Sequence, residues 1–174
     1  AAANDSTTLS PGFNNDSQGY TYSLLLPPAT YDVIVRPAAS LSDRIPPRIE
    51  HDFEVRADDA LQRFDLTWPS EYSRWEGVIV DRTGRPIPGL SVRAIDPAHD
   101  DLTVSSVGTT TRDGGTEGTA PGSFGINLSP GAPDTWTLRI TSTPVDQAWL
   151  TIDIPRAVLD RSGYASRAMR IELP

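Results

Sequence analysis

Two residue types with distinctive chemistry, cysteine and lysine, are missing from this chain. Its 174 residues contain no cysteine, so disulfides, thiolate nucleophiles and cysteine metal sites are excluded. All 15 cationic side chains are arginine, so no Schiff base and no amine nucleophile can form. A Lys–Asn isopeptide crosslink of the kind that staples some surface proteins is excluded for the same reason.

Positive charge and long hydrophobic runs are also scarce. The formal net charge is −8 at pH 7 and the isoelectric point is about 4.6. Nucleic acids and anionic lipids both require a basic face, so we expect no nucleic-acid partner. No run approaches the roughly 20 apolar residues that span a bilayer, so we expect no membrane insertion. The acidic, cysteine-free composition fits a secreted or cell-surface bacterial protein.

Turn residues and β-forming residues are abundant. The chain has 16 Pro and 13 Gly, and these separate short runs in which Val, Ile, Leu, Thr and aromatic residues alternate with polar ones. The runs 31–35, 90–94, 124–128 and 136–140 are the clearest examples. The segment 102–111 is predicted to be one further strand, and Asp81-Arg-Thr-Gly84 to be a turn. Successive side chains of a strand point to opposite faces, so each run buries one face. The pattern predicts an all-β protein.

The predicted strands divide the chain into three parts. Residues 1–19 are polar and are expected to form a tail, linker or loop. Residues 20–69 have four strand signals, and residues 75–174 have seven in about 100 residues. Seven short strands at this turn spacing predict a complete antiparallel, Ig-like β-sandwich.

The two strand-bearing parts match in strand order. Four runs of the first part correspond to four of the second, namely 22–26 with 124–128, 31–35 with 136–140, 53–55 with 150–152, and 64–66 with 171–173. The first strands of the second copy, at 75–110, have no counterpart, because only about 20 polar residues precede Tyr22. We therefore expect 20–69 to be the C-terminal part of a second sandwich, completed by strands that lie upstream or that a neighbouring chain supplies.

The segment 77–94, Gly-Val-Ile-Val-Asp-Arg-Thr-Gly-Arg-Pro-Ile-Pro-Gly-Leu-Ser-Val-Arg-Ala, resembles the opening of the carboxypeptidase regulatory-like domain. Thr110-Thr-Arg-Asp-Gly114 and Phe124 are similar to the family's next element, with residues 115–122 inserted between them. The resemblance implies a transthyretin-like (prealbumin-like) β-sandwich over 75–174, with a partial copy at 20–69. It also implies a non-catalytic spacer, accessory domain or adhesive unit.

No catalytic motif is present, and we predict no enzyme activity and no cofactor. A related hydrolase family uses a His and Arg cluster and a Tyr-Arg-Gly-Ser terminus. This chain has only His51 and His99, both predicted to lie in loops, and ends in Ile-Glu-Leu-Pro. The nearest approach to a metal site is the acidic stretch with Asp96, Asp100 and Asp101 around His99, whose oxygens suit a hard cation. It lacks the ligand spacing and internal glycine of a calcium loop, so we predict a solvated strand connection and no metal.

Four aromatic residues are candidates for contacts. Trp149 alternates with Leu150 and is predicted to point outward, where it would stack on a sugar or a partner. The alternative is that it packs beneath the predicted loop 155–167 or against the neighbouring domain. Trp68, Tyr72 and Trp75 bracket a short junction and predict a fixed interdomain contact.

Three functional hypotheses remain open. The first is a structural or interaction module whose partners are other domains of a larger chain or copies of itself. The second is a subunit of an extracellular filament, in which a neighbouring chain's strands complete the half-sandwich. The third is a carbohydrate-binding accessory domain that acts through Trp149.

Overall fold

The computed structural model describes residues 26–58, 62, 71–99, 101–111, 120–142, 151–161 and 169–174. Within them the protein is mostly β, with several antiparallel sheets and one short α-helix, which confirms the predicted β-rich class. The strand predicted at 64–68, most of the one at 22–26, and Trp149 lie outside these residues. No helix in the described part of the chain is long and apolar enough to cross a membrane.

The strands and the helix follow one another in a simple order. They are β1 (Ala29–Val35), β2 (Arg48–Val55), β3 (Arg74–Val80), β4 (Leu90–Asp96), β5 (Leu102–Thr103), β6 (Gly108–Thr109), β7 (Ser123–Asn127), β8 (Thr137–Ser142), β9 (Thr151–Pro155), α1 (Arg156–Arg161) and β10 (Met169–Glu172). A 3-10 turn at Ala39–Leu41 lies between β1 and β2.

These strands form three sheets. β1 and β2 pair antiparallel as a two-stranded hairpin. A three-stranded sheet has the order β10-β3-β7, in which β10 runs parallel to β3. The largest sheet has the order β5-β4-β8-β9, with β6 also paired to β4. All of its pairings are antiparallel.

Both larger sheets bury alternate side chains in a single core, as the period-two pattern predicts. Trp75 and Trp136 meet edge to face in this core, with ring centroids 5.0 Å apart and planes at 84°. An edge-to-face contact places the positive ring edge against the negative face. Further side chains with no exposed surface come from both sheets, namely Ile79, Val92, Ile126, Leu138 and Ile140.

Two local predictions were wrong. The segment 102–111, predicted as one strand, forms the short strands β5 and β6, because the backbone between them changes partner. Val104 N still donates to Ala94 O of β4 (2.9 Å), but Ser106 N donates to Asn127 O of β7 (2.8 Å). The segment after β9, predicted as a loop, begins with α1, which buries Leu159.

The turn predicted at 81–84 is present and is held by one carboxylate. Asp81 Oδ1 accepts hydrogen bonds from the Thr83 hydroxyl (2.7 Å), Thr83 N (2.8 Å) and Arg85 N (2.9 Å). These bonds, the Thr83 hydroxyl first, lower the pKa of Asp81. Gly84 completes the turn with φ +80°, a backbone conformation that is sterically unfavourable for residues with a side chain.

Candidate functional site

The acidic residues singled out in the sequence lie at the turn between β4 and β5, but with separate partners. Asp96 is only 1% exposed and accepts hydrogen bonds from Ala98 N (3.0 Å) and the His99 ring (2.6 Å). Asp101 is exposed and accepts from Arg139 Nη1 (2.9 Å). Asp100 lies outside the described residues. Among the described residues, three potential metal ligands lie close enough together to hold one cation, and neither Asp96 nor Asp101 belongs to this group.

That group consists of Asp32, His51 and His99, which we call the two-histidine cluster. One potential ligand atom from each residue lies within 4.8 Å of the others. His51 Nδ1 is 3.2 Å from Asp32 Oδ1, and the two imidazole rings are tilted at 33° with centroids 5.1 Å apart. Asp32 comes from β1, His51 from β2 and His99 from the turn after β4, so the cluster joins the hairpin to the largest sheet.

A β-bulge positions the hairpin half of the cluster. The β1–β2 register shifts between Tyr31, which faces Phe53, and Val33, which faces Glu50. Asp32 is thereby opposed by two residues, His51 and Asp52. Asp52 has φ +57°, and its N–H donates to Asp32 Oδ1 (3.4 Å). Bulges of this kind redirect side chains, and a non-glycine residue at positive φ is uncommon.

The buried carboxylate of Asp96 positions His99, the other half of the cluster. Asp96 Oδ2 lies 2.6 Å from His99 Nδ1, and the backbone of the turn closes through His99 N to Asp96 O (3.3 Å). A buried carboxylate requires such partners, because burial without them costs several kcal/mol. Asp96 therefore fixes the orientation of the His99 ring, as carboxylates do for histidines at many functional sites.

The hairpin is fastened to the rest of the protein near this cluster. Ile49 of β2 is 3% exposed and belongs to the same core cluster as Trp136. The Ser129 hydroxyl donates to Pro47 O (2.7 Å) and Asn127 Nδ2 donates to Arg44 O (2.7 Å). These contacts hold β2, and with it His51, against the larger sheets.

A second polar group lies across β8 and β9. Arg139 donates to both carboxylate oxygens of Asp153, at 2.8 and 2.7 Å, and to Asp101. The hydrogen bonds to Asp153 are the main reason that the pKa of Arg139 is raised, and those from Arg139 lower the pKa of Asp153. Asp153 thereby compensates the positive charge of Arg139 across the β8–β9 pair.

The aromatic candidates have different environments. Trp75 lies in the core against Trp136, and Tyr72 is half-buried. Trp68 and Trp149 lie outside the described residues, so the predicted interdomain contact and the predicted sugar-stacking surface stay predictions.

Sequence reasoning missed the two-histidine cluster. It placed both histidines in loops and Asp32 on the outer face of a strand, whereas His51 lies within β2. The available signal was weak, since the three residues are far apart in sequence and meet only because the hairpin packs beside the β4–β5 turn.

Comparisons with protein-family models, curated proteins and solved structures found no match to this chain.

Proposed function

We propose that this chain is a non-catalytic structural or interaction module of a secreted or cell-surface bacterial protein. The observation that carries the proposal is the shared core, in which Ile49 of the hairpin packs with the side chains of both larger sheets. A hairpin fixed in this way forms one rigid unit with the two larger sheets. A spacer or a docking platform requires such rigidity.

We further propose an Ig-like, transthyretin-like β-sandwich for residues 75–174, with a partial copy before it. Support comes from the two larger sheets, which bury alternate residues in one core. The resemblance of residues 77–94 to the carboxypeptidase regulatory-like domain adds to this. Gly84 and Gly89 of that segment have φ +80° and +77°, as the turns of the family's pattern require.

Three polar side chains that bond to other parts of the protein support a structural role. Asp81 holds a turn, Arg139 links two strands through Asp153, and the Ser129 hydroxyl fastens the hairpin. Each of these side chains is engaged with protein groups that stabilise the fold. The surface of the module would then recognise its partners, which are other domains of a larger chain or neighbouring copies of the module.

The experiment is light scattering after size exclusion, combined with thermal unfolding of residues 1–174. We expect a monodisperse monomer that unfolds in one cooperative transition, because the hairpin and the larger sheets share a core. Length-variable polymers would contradict the spacer role.

One observation favours a second candidate, a filament subunit assembled by strand complementation. Within the described residues, β1 pairs only with β2, so the other edge of β1 is not in a described sheet. Such edges accept strands from other chains. Polymers that disassemble when a proline replaces Val33 on β1 would support this candidate, and a monomer at high protein concentration would overturn it.

A further inference from the structure

We propose that Asp32, His51 and His99 bind one first-row divalent transition-metal ion, with Zn²⁺ as the best fit, between the hairpin and the β4–β5 turn. The site lies beyond the structural role proposed above and does not depend on it. It also differs from the hard-cation site considered from the sequence, which used the carboxylates of the turn itself.

The donor set selects the class of metal. Two imidazole nitrogens and one carboxylate oxygen are typical ligands of Zn²⁺ and its neighbours in the first transition row. Ca²⁺ and Mg²⁺ prefer oxygen ligands, and here only Asp32 offers one. Three protein ligands leave the fourth position of a tetrahedral ion for water or for a group of a partner.

The distances suit such an ion. With Zn²⁺ bonds of about 2.0–2.1 Å, two tetrahedral ligands lie about 3.3 Å apart. His51 Nδ1 and Asp32 Oδ1 are 3.2 Å apart, so an ion can replace the proton between them. All three ligand atoms lie within 4.8 Å of one another, so His99 needs a side-chain adjustment of at most about 1.5 Å to reach the ion.

Asp96 supplies the outer support that metal-binding histidines usually have. Its carboxylate engages His99 Nδ1 at 2.6 Å, which assigns the metal to Nε2 of the same ring. Asp96 is buried while His99 is half exposed, so the supporting group is fixed and the binding group faces outward. This carboxylate–histidine pair is an independent reason to infer a ligand at the site.

The bulge is a second reason. It holds Asp52 at φ +57°, a conformation that costs a non-glycine residue free energy and that recurs at binding sites. The result is that Asp32 and His51 share one side of the hairpin next to His99. The side chains of Asp32 and His51 are 41% and 34% exposed, so an ion has a path from solvent.

The test is calorimetric titration of Zn²⁺ into the untagged, EDTA-treated protein in a buffer that does not chelate. We expect about one ion per chain and a rise in melting temperature with Zn²⁺, because ligands from three separate segments converge only in the folded state. Ca²⁺ at the same concentration should produce neither effect. Co²⁺ should give a visible absorption band of the bound ion.

Variants locate the site. His51→Ala and His99→Ala should each weaken Zn²⁺ binding at least about a hundredfold, and Asp96→Asn about ten- to a hundredfold through loss of ring orientation. Asp32→Asn, the mildest change, serves if a histidine variant is unstable. Asp43→Asn, an exposed carboxylate outside the cluster, should bind as the parent does. Absence of Zn²⁺ binding, or equal affinity in the parent and the histidine variants, would overturn the proposal.

Discussion

Asp153 lies directly opposite Arg139 in the β8–β9 pair, and Arg139 lies opposite Arg93 in the β4–β8 pair. Two arginines side by side repel each other, and Asp153 lowers that repulsion by binding Arg139 through both carboxylate oxygens. Arg139 also lowers the pKa of Asp153, with a smaller effect from Arg93. The protonation state of one residue therefore affects the pairing of three strands.

We expect a pH dependence of stability from this carboxylate. Because its pKa is below the ordinary 3.8 in the folded protein, Asp153 stabilises the fold above that value, and the contribution is lost as pH falls through the lower, folded pKa. Asp153→Asn should lower the free energy of unfolding at pH 7 by about 1 kcal/mol or less, since the side chain is partly exposed. Urea unfolding of parent and variant at pH 7 and pH 3 measures this.

The difference between parent and variant should shrink at the lower pH, because protonation removes the charge that the substitution removes. Asp43→Asn is the control, since the Asp43 carboxylate lies 3.6 Å from Arg44 and is well exposed. An equal effect of the two substitutions at pH 7 would contradict the role assigned to Asp153.

Single residues also show how far the sequence could lead. Alternation correctly predicted that Leu90, Val92 and Ala94 face the core, and the Asp-Arg-Thr-Gly tetrad correctly predicted a turn. The two-histidine cluster could not be predicted, because it depends on a bulge that shifts His51 by one position and on the packing of two distant segments. Neither leaves a periodic signal.

At the scale of elements, the close contact between β3 and β10 depends on a glycine. Gly77 faces Met169 in the parallel pair, and an added Cβ would lie 2.7 Å from the Met169 carbonyl oxygen and 2.8 Å from its Cβ. Gly77 lies in mid-strand, so this glycine serves a close approach of two backbones and not a turn.

Gly77→Ala should therefore lower the free energy of unfolding by about 1–3 kcal/mol, because backbone atoms must move to admit the methyl group. Gly125→Ala in the same sheet is a matched control, since its added Cβ meets only the flexible end of Arg74. Thermal unfolding should show a clear loss for the first variant and a small change for the second. Equal losses of stability in the two variants would mean that the close β3–β10 contact is not the reason for glycine at position 77.

The helix α1 was not predicted from the sequence. Its six residues are too few for a helical repeat, and it is stabilised by burial of Leu159 and by the ion pair of Arg156 with Asp160, at 3.5 Å. Isolated helices of this length are unstable in water, so tertiary packing must determine it.

Leu159→Ala should cost about 2–4 kcal/mol, because the side chain is 1% exposed and the core cannot fully close around the cavity. Val158→Ala, one residue earlier and 39% exposed, should change stability by about 0.5 kcal/mol or less. Chemical denaturation of both variants compares buried and exposed positions on the same turn. Similar costs would contradict the packing described for α1.

At the scale of the whole molecule, the hairpin and the larger sheets should unfold together. Ile49→Ala should lower global stability by about 2–4 kcal/mol and keep a single transition, because Ile49 is part of the common core. Leu41→Ala, in the exposed segment before β2, should have little effect. Hydrogen exchange that shows the hairpin opening alone in the parent protein would contradict a shared core.

From the sequence separation of the two strands, we expect the parallel pairing of β10 with β3 to form late in folding. Met169 must find Gly77 after all the intervening chain has been made, and long-range parallel pairing is slow because a large loop has to close first. β4, β8 and β9 are linked by antiparallel pairs over shorter separations and can assemble earlier. During synthesis, β3 therefore has one edge unpaired until β10 is made, and in this interval a wrong strand can pair with that edge.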